Sequence, residues 1–354
     1  MFSLDIQKDE IFSSWLTRLA MRNGCDALDL SSYLWGKQRV WISDIDRQMD
    51  NLKLDDLLVA CRIDFKALKG AFLHTHSQLI SNNQEQAIWP WILPLGCRNR
   101  KRFSGMQFCP ECLNEDESPY FRVHWRFAWH TCCMKHKIRL LDRCPNCSAA
   151  IEYHRLEADV LHLNYCASCH YDLTKAPSKI VDDAELSIQK RCDLVHLNGL
   201  GSFGAQSLDS QQWFLTLRFF IMLIQKARNT NLKSIHELLR RLEIDKSSVY
   251  FSTTGFRLEL LRTHERAKLI RQGFKLLLIE PNYFKDSLNS LNINAGYLKN
   301  IINPLPVKIS EMVPGERKLF NKRKVDKEKY KPKSKRTVLM MHERLKRRLE
   351  NLDR

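Results

Sequence analysis

Residues 109–169 read CPECLNEDESPYFRVHWRFAWHTCCMKHKIRLLDRCPNCSAAIEYHRLEADVLHLNYCASC, and four pairs of metal-ligand residues follow one another in this stretch. The pairs are Cys109/Cys112, Cys133/His136, Cys144/Cys147 and Cys166/Cys169. Each pair has two residues between its members, a spacing that lets a tight turn direct both donor atoms toward one ion. Four such pairs supply eight ligands, which is the number that two tetrahedral ions require.

The intervals between the pairs favour zinc. The second half of the stretch has the form C-x2-C-x18-C-x2-C, which lies within the spacing of a four-cysteine zinc ribbon. The first half, C-x2-C-x20-C-x2-H, has one histidine in place of a cysteine. A full set of four protein ligands leaves no open position for a catalytic water, so we predict two structural Zn²⁺ ions. The spacings fit sequential and interleaved use of the four pairs.

Disulfides are the alternative for paired cysteines, and the N-terminus argues against them. Residues 1–10 already carry four charged side chains, so we expect no secretory signal peptide and therefore reduced thiols. One ligand is ambiguous, because Cys132 and Cys133 are adjacent. We choose Cys133, which gives the same two-residue gap to His136 that the other pairs show. The histidines nearby break the paired pattern and are interpreted as surface or packing residues: His124, His130, His154, His162 and His170.

The composition indicates a globular, mainly helical protein with an anionic partner. The 354 residues are enough for two or three domains, and the low numbers of Gly (12) and Pro (11) favour helices. No uninterrupted apolar run approaches the roughly 20 residues of a membrane span, so we expect no membrane partner. The formal net charge of +17 at pH 7 makes nucleic acid the first candidate partner, since Lys and Arg release counterions when they meet phosphates.

The excess positive charge is concentrated at the C-terminus. Residues 315–354 hold sixteen Lys and Arg against six Asp and Glu, a density that predicts ordering on a phosphate backbone. The candidate nucleic-acid-binding residues are Lys322, Arg323, Lys324, Lys329, Lys331, Lys333, Lys335 and Arg336. The apolar residues after them predict a terminal amphipathic helix that docks on this chain or on a second copy: Val338, Met341, Leu345, Leu349 and Leu352.

Apolar residues recur at helical steps on both sides of the metal-ligand stretch. Helix pairs of helix-turn-helix length are predicted at 9–34, 54–72 and 283–302, and such pairs serve DNA reading or ordinary packing. We therefore predict a mainly α fold with a small zinc-ribbon or zinc-finger module. Its parts are an N-terminal helix-turn-helix-like domain (1–80), a linker (81–105), a double zinc-finger module (106–175), a C-terminal helical domain with a helix-turn-helix-like end (180–302), and a basic linker with a terminal amphipathic helix (303–354).

Two parts of the sequence resemble a known family. The metal-ligand stretch contains C-P-x-C-L-x-E-D, then P-Y-F-R-x-x-W, then C-x-x-H-x-x-x-L and C-P-x-C. The N-terminus contains E-x-x-x-S-W-L-x-R-L-A-x-x-N-G, from Glu10 to Gly24. Together these strings resemble the TniQ/TnsD family of transposon target-selection proteins, and the short chain looks more like TniQ. The resemblance covers the first half of the chain.

The resemblance implies an adaptor that selects target sites for a cut-and-paste DNA transposon. It would link a target-recognition element to the transposon's AAA+ ATPase, which recruits the transposase. That element is either DNA itself or a CRISPR effector complex with guide RNA, in which base pairing reads the sequence. The resemblance also implies a homodimer, in the bacterial cytoplasm and on the nucleoid during action.

Other functions fit the sequence less well. The chain has no phosphate-cradling loop and no nucleophile elbow, so we expect no enzymatic activity. A zinc-containing, sequence-specific DNA-binding regulator unconnected to transposition is the alternative. A ubiquitin ligase of RING type also uses eight paired ligands, but the seven residues between His136 and Cys144 are more than its middle pairs allow.

Overall fold

The regularly spaced apolar residues form helices over most of the chain. A computed structural model describes residues 2–38, 40–47, 49–82, 88–95, 105–228, 233–244, 257–313, 334 and 338–343. The helices up to residue 313 are α1 (Phe12–Arg22), α2 (Ala27–Trp35), α3 (Asp55–Cys61), α4 (Phe65–Gly70), α5 (Leu73–Gln78), α6 (Pro110–Glu115), α7 (Asp183–Asn198), α8 (Ser210–Arg228), α9 (Lys233–Arg241), α10 (Thr263–Leu277), α11 (Pro281–Ser290), α12 (Ala295–Lys299) and α13 (Val307–Met312). The predicted mainly helical fold is confirmed.

The strands form two short antiparallel hairpins. β1 (Cys132–Cys133) pairs with β2 (Ile138–Arg139), and β3 (Leu200–Phe203) pairs with β4 (Gln206–Asp209). The first hairpin lies inside the metal-ligand stretch, with Cys133 opposite Ile138. The second hairpin connects α7 to α8, with Gly201 opposite Leu208.

Helix α1 is the centre of the N-terminal core. Phe12, Trp15, Leu16 and Leu19 are fully buried, as their three- and four-residue spacing predicts. The helix begins at Phe12 and not at Asp9 as predicted, because Asp9 has a left-handed backbone (φ 59°) and Ile11 is extended. Glu10 lies outside the helix, and its carboxylate accepts hydrogen bonds from Ser14 Oγ (2.8 Å) and Arg18 Nη1 (2.7 Å).

Helices α2 to α4 contribute buried residues to the core around α1. The turn between α3 and α4 has a left-handed residue at Arg62 (φ 52°), and Asp64 caps α4 by accepting a hydrogen bond from the amide of Ala67 (3.1 Å). Helix α5 follows the predicted helix pair at 54–72 and was not itself predicted. It is only six residues long and is held by the burial of Leu73 and Ser77, so its sequence carries too little apolar periodicity to be recognised.

The aromatic run after Pro119 joins the N-terminal helices to the metal-ligand stretch. Val123, Trp125, Phe127 and Trp129 are buried, and the run begins with Phe121, which is fully buried, whereas Tyr120 is only partly buried. Arg126 of the same run is fully buried. Its guanidinium forms ion pairs with Asp44 and with Asp46 (2.6 Å), which lie in the N-terminal part of the chain.

The tryptophan-rich part of the predicted linker packs into the core through Trp89 and Trp91. The Trp91 indole N–H donates a hydrogen bond to the carbonyl of Phe214 in α8 (3.2 Å), and its backbone amide donates to Glu259 Oε1 (2.8 Å). The guanidinium of Arg47 lies 4.0 Å from the centre of the Trp89 ring.

The helices after the metal-ligand stretch share a second core with that stretch, in which α8 packs against α7 and α10. The hairpin β3–β4 lies inside the region that we predicted to be a helical domain. A Cβ atom on Gly201 would lie 2.4 Å from Trp213 Cδ1, so the glycine is required by a close approach that only the folded chain reveals. Helix α10 begins at Thr263, where Glu265 accepts a hydrogen bond from the Arg262 amide (2.9 Å).

The C-terminal part of the chain differs from the predicted linker. Helix α13 lies in it and buries Ile309 and Met312. Residues 1–314 form one compact unit and residues 315–354 form a second. Within the second unit residues 338–343 are helical and Val338 and Met341 are about half exposed, whereas the rest of the predicted apolar stripe lies outside the described residues. None of the described helices combines the length and the apolar character that a bilayer crossing requires.

Candidate metal centres

Four donor atoms meet at the first cluster, which we define as Cys109, Cys112, Cys133 and His136. All four lie within 4.8 Å of one another. His136 Nδ1 lies 3.3 Å from Cys109 Sγ, 3.4 Å from Cys112 Sγ and 3.5 Å from Cys133 Sγ, and the last two sulfur atoms are 3.6 Å apart. Tetrahedral zinc with ordinary bond lengths would separate two sulfurs by about 3.8 Å and a sulfur from a nitrogen by about 3.5 Å. The observed separations fit such an ion.

Local backbone geometry brings these four donors together. Cys109 precedes α6, and its Sγ accepts a hydrogen bond from the amide of Cys112 in the first turn of that helix (3.5 Å). Cys133 is the last residue of β1, and His136 lies in the tight turn between β1 and β2. In this turn the amide of Lys137 donates to the carbonyl of Cys133 (2.9 Å), and Lys137 has a left-handed backbone (φ 55°).

The second cluster consists of Cys144, Cys147, Cys166 and Cys169, whose Sγ atoms also lie within 4.8 Å of one another. Cys144 Sγ is 3.6 Å from Cys169 Sγ, and Cys147 Sγ is 3.6 Å from Cys166 Sγ. These separations also fit a tetrahedral zinc ion. The structure therefore groups the four pairs in chain order, two per cluster, and not in an interleaved arrangement.

Two turns of the same type build the second cluster. The residue after each second ligand donates its amide to the carbonyl of the first ligand: Ser148 to Cys144 (3.0 Å) and His170 to Cys166 (2.8 Å). Both residues have a left-handed backbone, with φ 58° at Ser148 and 55° at His170. Three of the four pairs thus share one turn geometry, which explains why the two-residue gap recurs.

The two clusters differ in exposure. In the first cluster Cys109, Cys112 and Cys133 are 0%, 6% and 7% exposed, and His136 is only partly accessible. In the second cluster Cys147 is exposed and Cys169 is partly exposed, although Cys144 and Cys166 are buried. The first cluster is therefore inside the core, and the second opens to solvent on one side.

Two polar neighbours of the clusters were missed in the sequence. Glu115 Oε1 lies 3.0 Å from His136 Nε2, the ring nitrogen that does not face the cluster. A carboxylate that accepts a hydrogen bond from the outer ring nitrogen orients a ligating histidine and raises its basicity, and Glu115 is close enough for this role once His136 binds metal. Asn146 Nδ2 donates a hydrogen bond to Cys169 Sγ (3.5 Å). Glu115 follows Cys112 by three residues in α6, so both residues lie on the same helical face. This spacing was the signal in the sequence that could have identified Glu115 as a neighbour of the cluster.

Cys132 and the unpaired histidines lie outside both clusters. Cys132 Sγ donates to Gln189 Oε1 (3.2 Å), and burial raises the pKa of this thiol to about 12, so it remains a neutral thiol. Burial also lowers the pKa of His124 to about 3 and the pKa of His154 to about 4, which makes both of them neutral packing residues. None of the eleven cysteines in the described part of the chain forms a disulfide.

The candidate nucleic-acid-binding residues, Lys322 to Arg336, all lie outside the described residues, so their contacts stay a prediction.

Comparison with known proteins concerns the N-terminal part of the chain. Residues 1–140 match the family model described as TniQ. No curated protein matches the chain. The matched range contains all four residues of the first cluster and ends before Cys144.

Proposed function

We propose that the protein, whose residues 1–140 match the TniQ family model, is a target-selection adaptor of a cut-and-paste DNA transposon. A TniQ domain implies a role in transposition target selection in general, and it confirms the resemblance found in the sequence. The observation that carries the proposal is the family match itself, because it spans the N-terminal helices, the aromatic run and the first cluster as one block.

The adaptor would connect two partners. On one side it would contact the transposon's AAA+ ATPase, and on the other a target-recognition element, either DNA or a CRISPR effector complex with guide RNA. In this role the protein performs no chemistry of its own and acts at the nucleoid in the bacterial cytoplasm. A homodimer is part of the same proposal.

We further propose that the clusters bind two structural Zn²⁺ ions, one in each. The support is the donor set together with the separations of 3.3–3.6 Å among the donors that the first cluster brings together. Bound metal would lock four chain segments that are up to sixty residues apart into one platform. Elemental analysis of the purified protein should find two zinc ions per chain, and a protein without zinc would contradict this.

Direct DNA contact is assigned to the basic segment 322–336. Replacing its eight candidate residues with Ala should weaken binding to duplex DNA and flatten its salt dependence, because each lost phosphate contact lowers the slope of log K against log salt by about 0.9. Binding that keeps its strength and its slope would remove DNA from the proposed partners of this segment.

The main experiment is a pull-down of the tagged full-length protein. The baits are the ATPase encoded beside it and any adjacent CRISPR effector, each with and without target DNA. Retention of the ATPase supports the adaptor, and retention of the effector in addition identifies the guide-RNA branch. Binding to a specific DNA sequence without the ATPase would instead support the DNA-binding regulator.

A further inference from the structure

Helix α7 carries three buried or partly buried polar side chains on one face. Glu185, Gln189 and Asp193 are four residues apart, so they stack along the helix in a single row. Gln189 is 1% exposed and Glu185 is 9% exposed. A row of this kind requires polar partners, because an unpaired buried carboxylate or amide is strongly unfavourable.

All three side chains find their partners in residues 129–133, the loop that leads into Cys133 of the first cluster. Gln189 Oε1 accepts hydrogen bonds from the amides of Thr131 (2.9 Å) and Cys132 (3.1 Å). Gln189 Nε2 donates to the carbonyl of Cys132 (2.9 Å) and lies 3.2 Å from His130 Nδ1. One carboxamide therefore pairs with both backbone groups of the residue that precedes the ligand.

The other two members of the row hold the ends of the same loop. Glu185 accepts from Thr131 Oγ1 (2.8 Å) and from Arg139 Nη2 on β2 (2.8 Å), so it contacts the segments on both sides of the ligand turn. Asp193 Oδ1 accepts from Trp129 Nε1 (2.8 Å) and lies 2.7 Å from His130 Nε2. When the loop is in the position that presents Cys133 and His136 to the cluster, it also provides hydrogen-bond partners for Glu185, Gln189 and Asp193.

We propose that Glu185, Gln189 and Asp193 are positioning residues for the first cluster, and that metal binding there is thermodynamically coupled to the docking of α7. The ion binds only when the turn holds Cys133 and His136 at the cluster. In that position the neighbouring loop also forms the hydrogen bonds with the three side chains of α7. Coupling is reciprocal, so undocking of α7 lowers metal affinity by the same factor by which metal loss lowers the equilibrium constant for docking α7. The inference rests on the metal proposed for the first cluster and not on the proposed role in transposition.

The first test measures metal affinity with Co²⁺, whose absorption distinguishes three sulfur ligands and one nitrogen from four sulfurs. Gln189→Met keeps the length of the side chain and removes its hydrogen bonds. It should lower Co²⁺ affinity at the first cluster about 10–100-fold, the usual effect of losing an outer-shell partner, and leave the second cluster unchanged. Lys190→Met, on the exposed face of the same helix, is the matched control and should leave both affinities unchanged.

The second test measures the reverse coupling by hydrogen exchange in the full-length wild-type protein. Removal of the metal should accelerate amide exchange in α7 more than in α11, which has no contact with the loop among the hydrogen bonds of the described residues. A Cys147→Ser variant, which keeps the first cluster intact, should retain the protection of α7. Zinc stoichiometry measured on the same samples separates failure of the coupling from absence of the metal.

Specific outcomes overturn the proposal. Unchanged Co²⁺ affinity in Gln189→Met does so, and so does an equal loss at both clusters, which would mean general destabilisation. Equal loss of hydrogen-exchange protection in α7 and α11 after metal removal would also indicate general destabilisation and overturn the proposal. If Gln189→Met does not fold, Asp193→Asn carries the affinity test, because it keeps the volume of the side chain and weakens only the bonds to Trp129 and His130.

Discussion

The two clusters have nearly the same ligand spacing but different surroundings. The first is surrounded by core residues, with Glu115 on its histidine and α7 on its loop. The second has one exposed and one partly exposed cysteine, and its segment contacts the N-terminal helices through Tyr153 and His154. Ligand spacing therefore reports the local turn, whereas the consequence of losing the metal depends on what packs around that turn.

Removal of a ligand should produce the largest difference in stability between variants of the two clusters. Cys112→Ser should abolish zinc at the first cluster and release α7 from the loop that leads into Cys133, with a large loss of stability, because a structural zinc can supply roughly 10–16 kcal/mol of folding free energy. Cys147→Ser should lose the second zinc ion but retain the helices from α7 to α13. Zinc stoichiometry and circular dichroism measure both effects.

The control for this comparison is Cys132→Ser. Cys132 is as buried as the ligands of the first cluster but lies outside it, so the variant should keep two zinc ions and lose at most a few kcal/mol of stability, roughly the cost of altering one buried group. A protein with one zinc ion would show that Cys132, and not Cys133, is the ligand. Equal unfolding by Cys112→Ser and Cys147→Ser would remove the distinction between the two clusters.

The outer carboxylate should matter only at the first cluster. Glu115→Gln removes the charge beside His136 Nε2 and should lower zinc affinity there about 10–100-fold, with no effect at the second cluster. Competition with a chromophoric chelator measures both affinities. Glu117→Gln, an exposed position two residues further along, is the matched control. If both variants behave alike, the effect is one of general surface charge and not of ligand orientation.

Acid should weaken the surroundings of the second cluster through His154. This ring stacks on Trp41, with ring centres 4.7 Å apart, and burial lowers its pKa to about 4 from an ordinary value of 6.5. Between pH 6.5 and pH 4 the unfolded chain binds a proton that the folded chain does not, so stability falls as pH falls through this window and no further below it.

His154→Phe keeps the stacking and removes the titration. Relative to the wild type it should gain about 1–2 kcal/mol when the pH is lowered from 7 to 5, measured by denaturant unfolding. Protonation of the zinc ligands affects both proteins equally and cancels in the difference. His162→Phe, at an exposed position of the same segment, should follow the wild type. A difference between His154→Phe and the wild type that is the same at both pH values would mean that His154 does not titrate in this window.

Local patterns predicted some features of this molecule and not others. The two-residue gaps indicated the paired turns, because a turn of this kind is made by consecutive residues, and apolar periodicity indicated α1, α7 and α8 for the same reason. By contrast, Gln189 meets Cys132 across 57 residues and Gly201 makes room for Trp213 in another element. Such contacts depend on the folded arrangement, so the burial of the first cluster and the hairpin β3–β4 were not predictable.

Removal of the metal by a chelator should proceed in two phases. The second cluster, with Cys147 exposed, should lose its ion first, and the first cluster should lose its ion at least about tenfold more slowly. The chelator can reach the buried site only after a local opening, and an opening free energy of about 1.4 kcal/mol corresponds to that tenfold difference. Stopped-flow absorbance of the chelator measures the rates. The fast phase should be missing in Cys147→Ser. Loss of both ions in one phase would show that a single opening event exposes the two clusters together.

The smallest effect concerns the left-handed residues that follow three of the pairs. At Lys137, Ser148 and His170 a Gly variant should be more stable than the corresponding Ala variant by about 0.5–1 kcal/mol, because Gly avoids the cost of a left-handed Cβ and loses part of that gain to its greater freedom in the unfolded chain. Each Ala variant serves as the control for its Gly partner, since both remove the same side chain.

Comparing these three sites also tests whether the two clusters unfold together with the core or open separately. If the first cluster unfolds only together with the core, the full Gly–Ala difference at Lys137 appears in global unfolding by denaturant. At Ser148 and His170 part of the difference should instead appear as a change in the rate at which the second cluster loses its metal, because that cluster opens before the core does. Equal differences at all three positions in global unfolding would mean that both clusters unfold with the core, whatever their exposure.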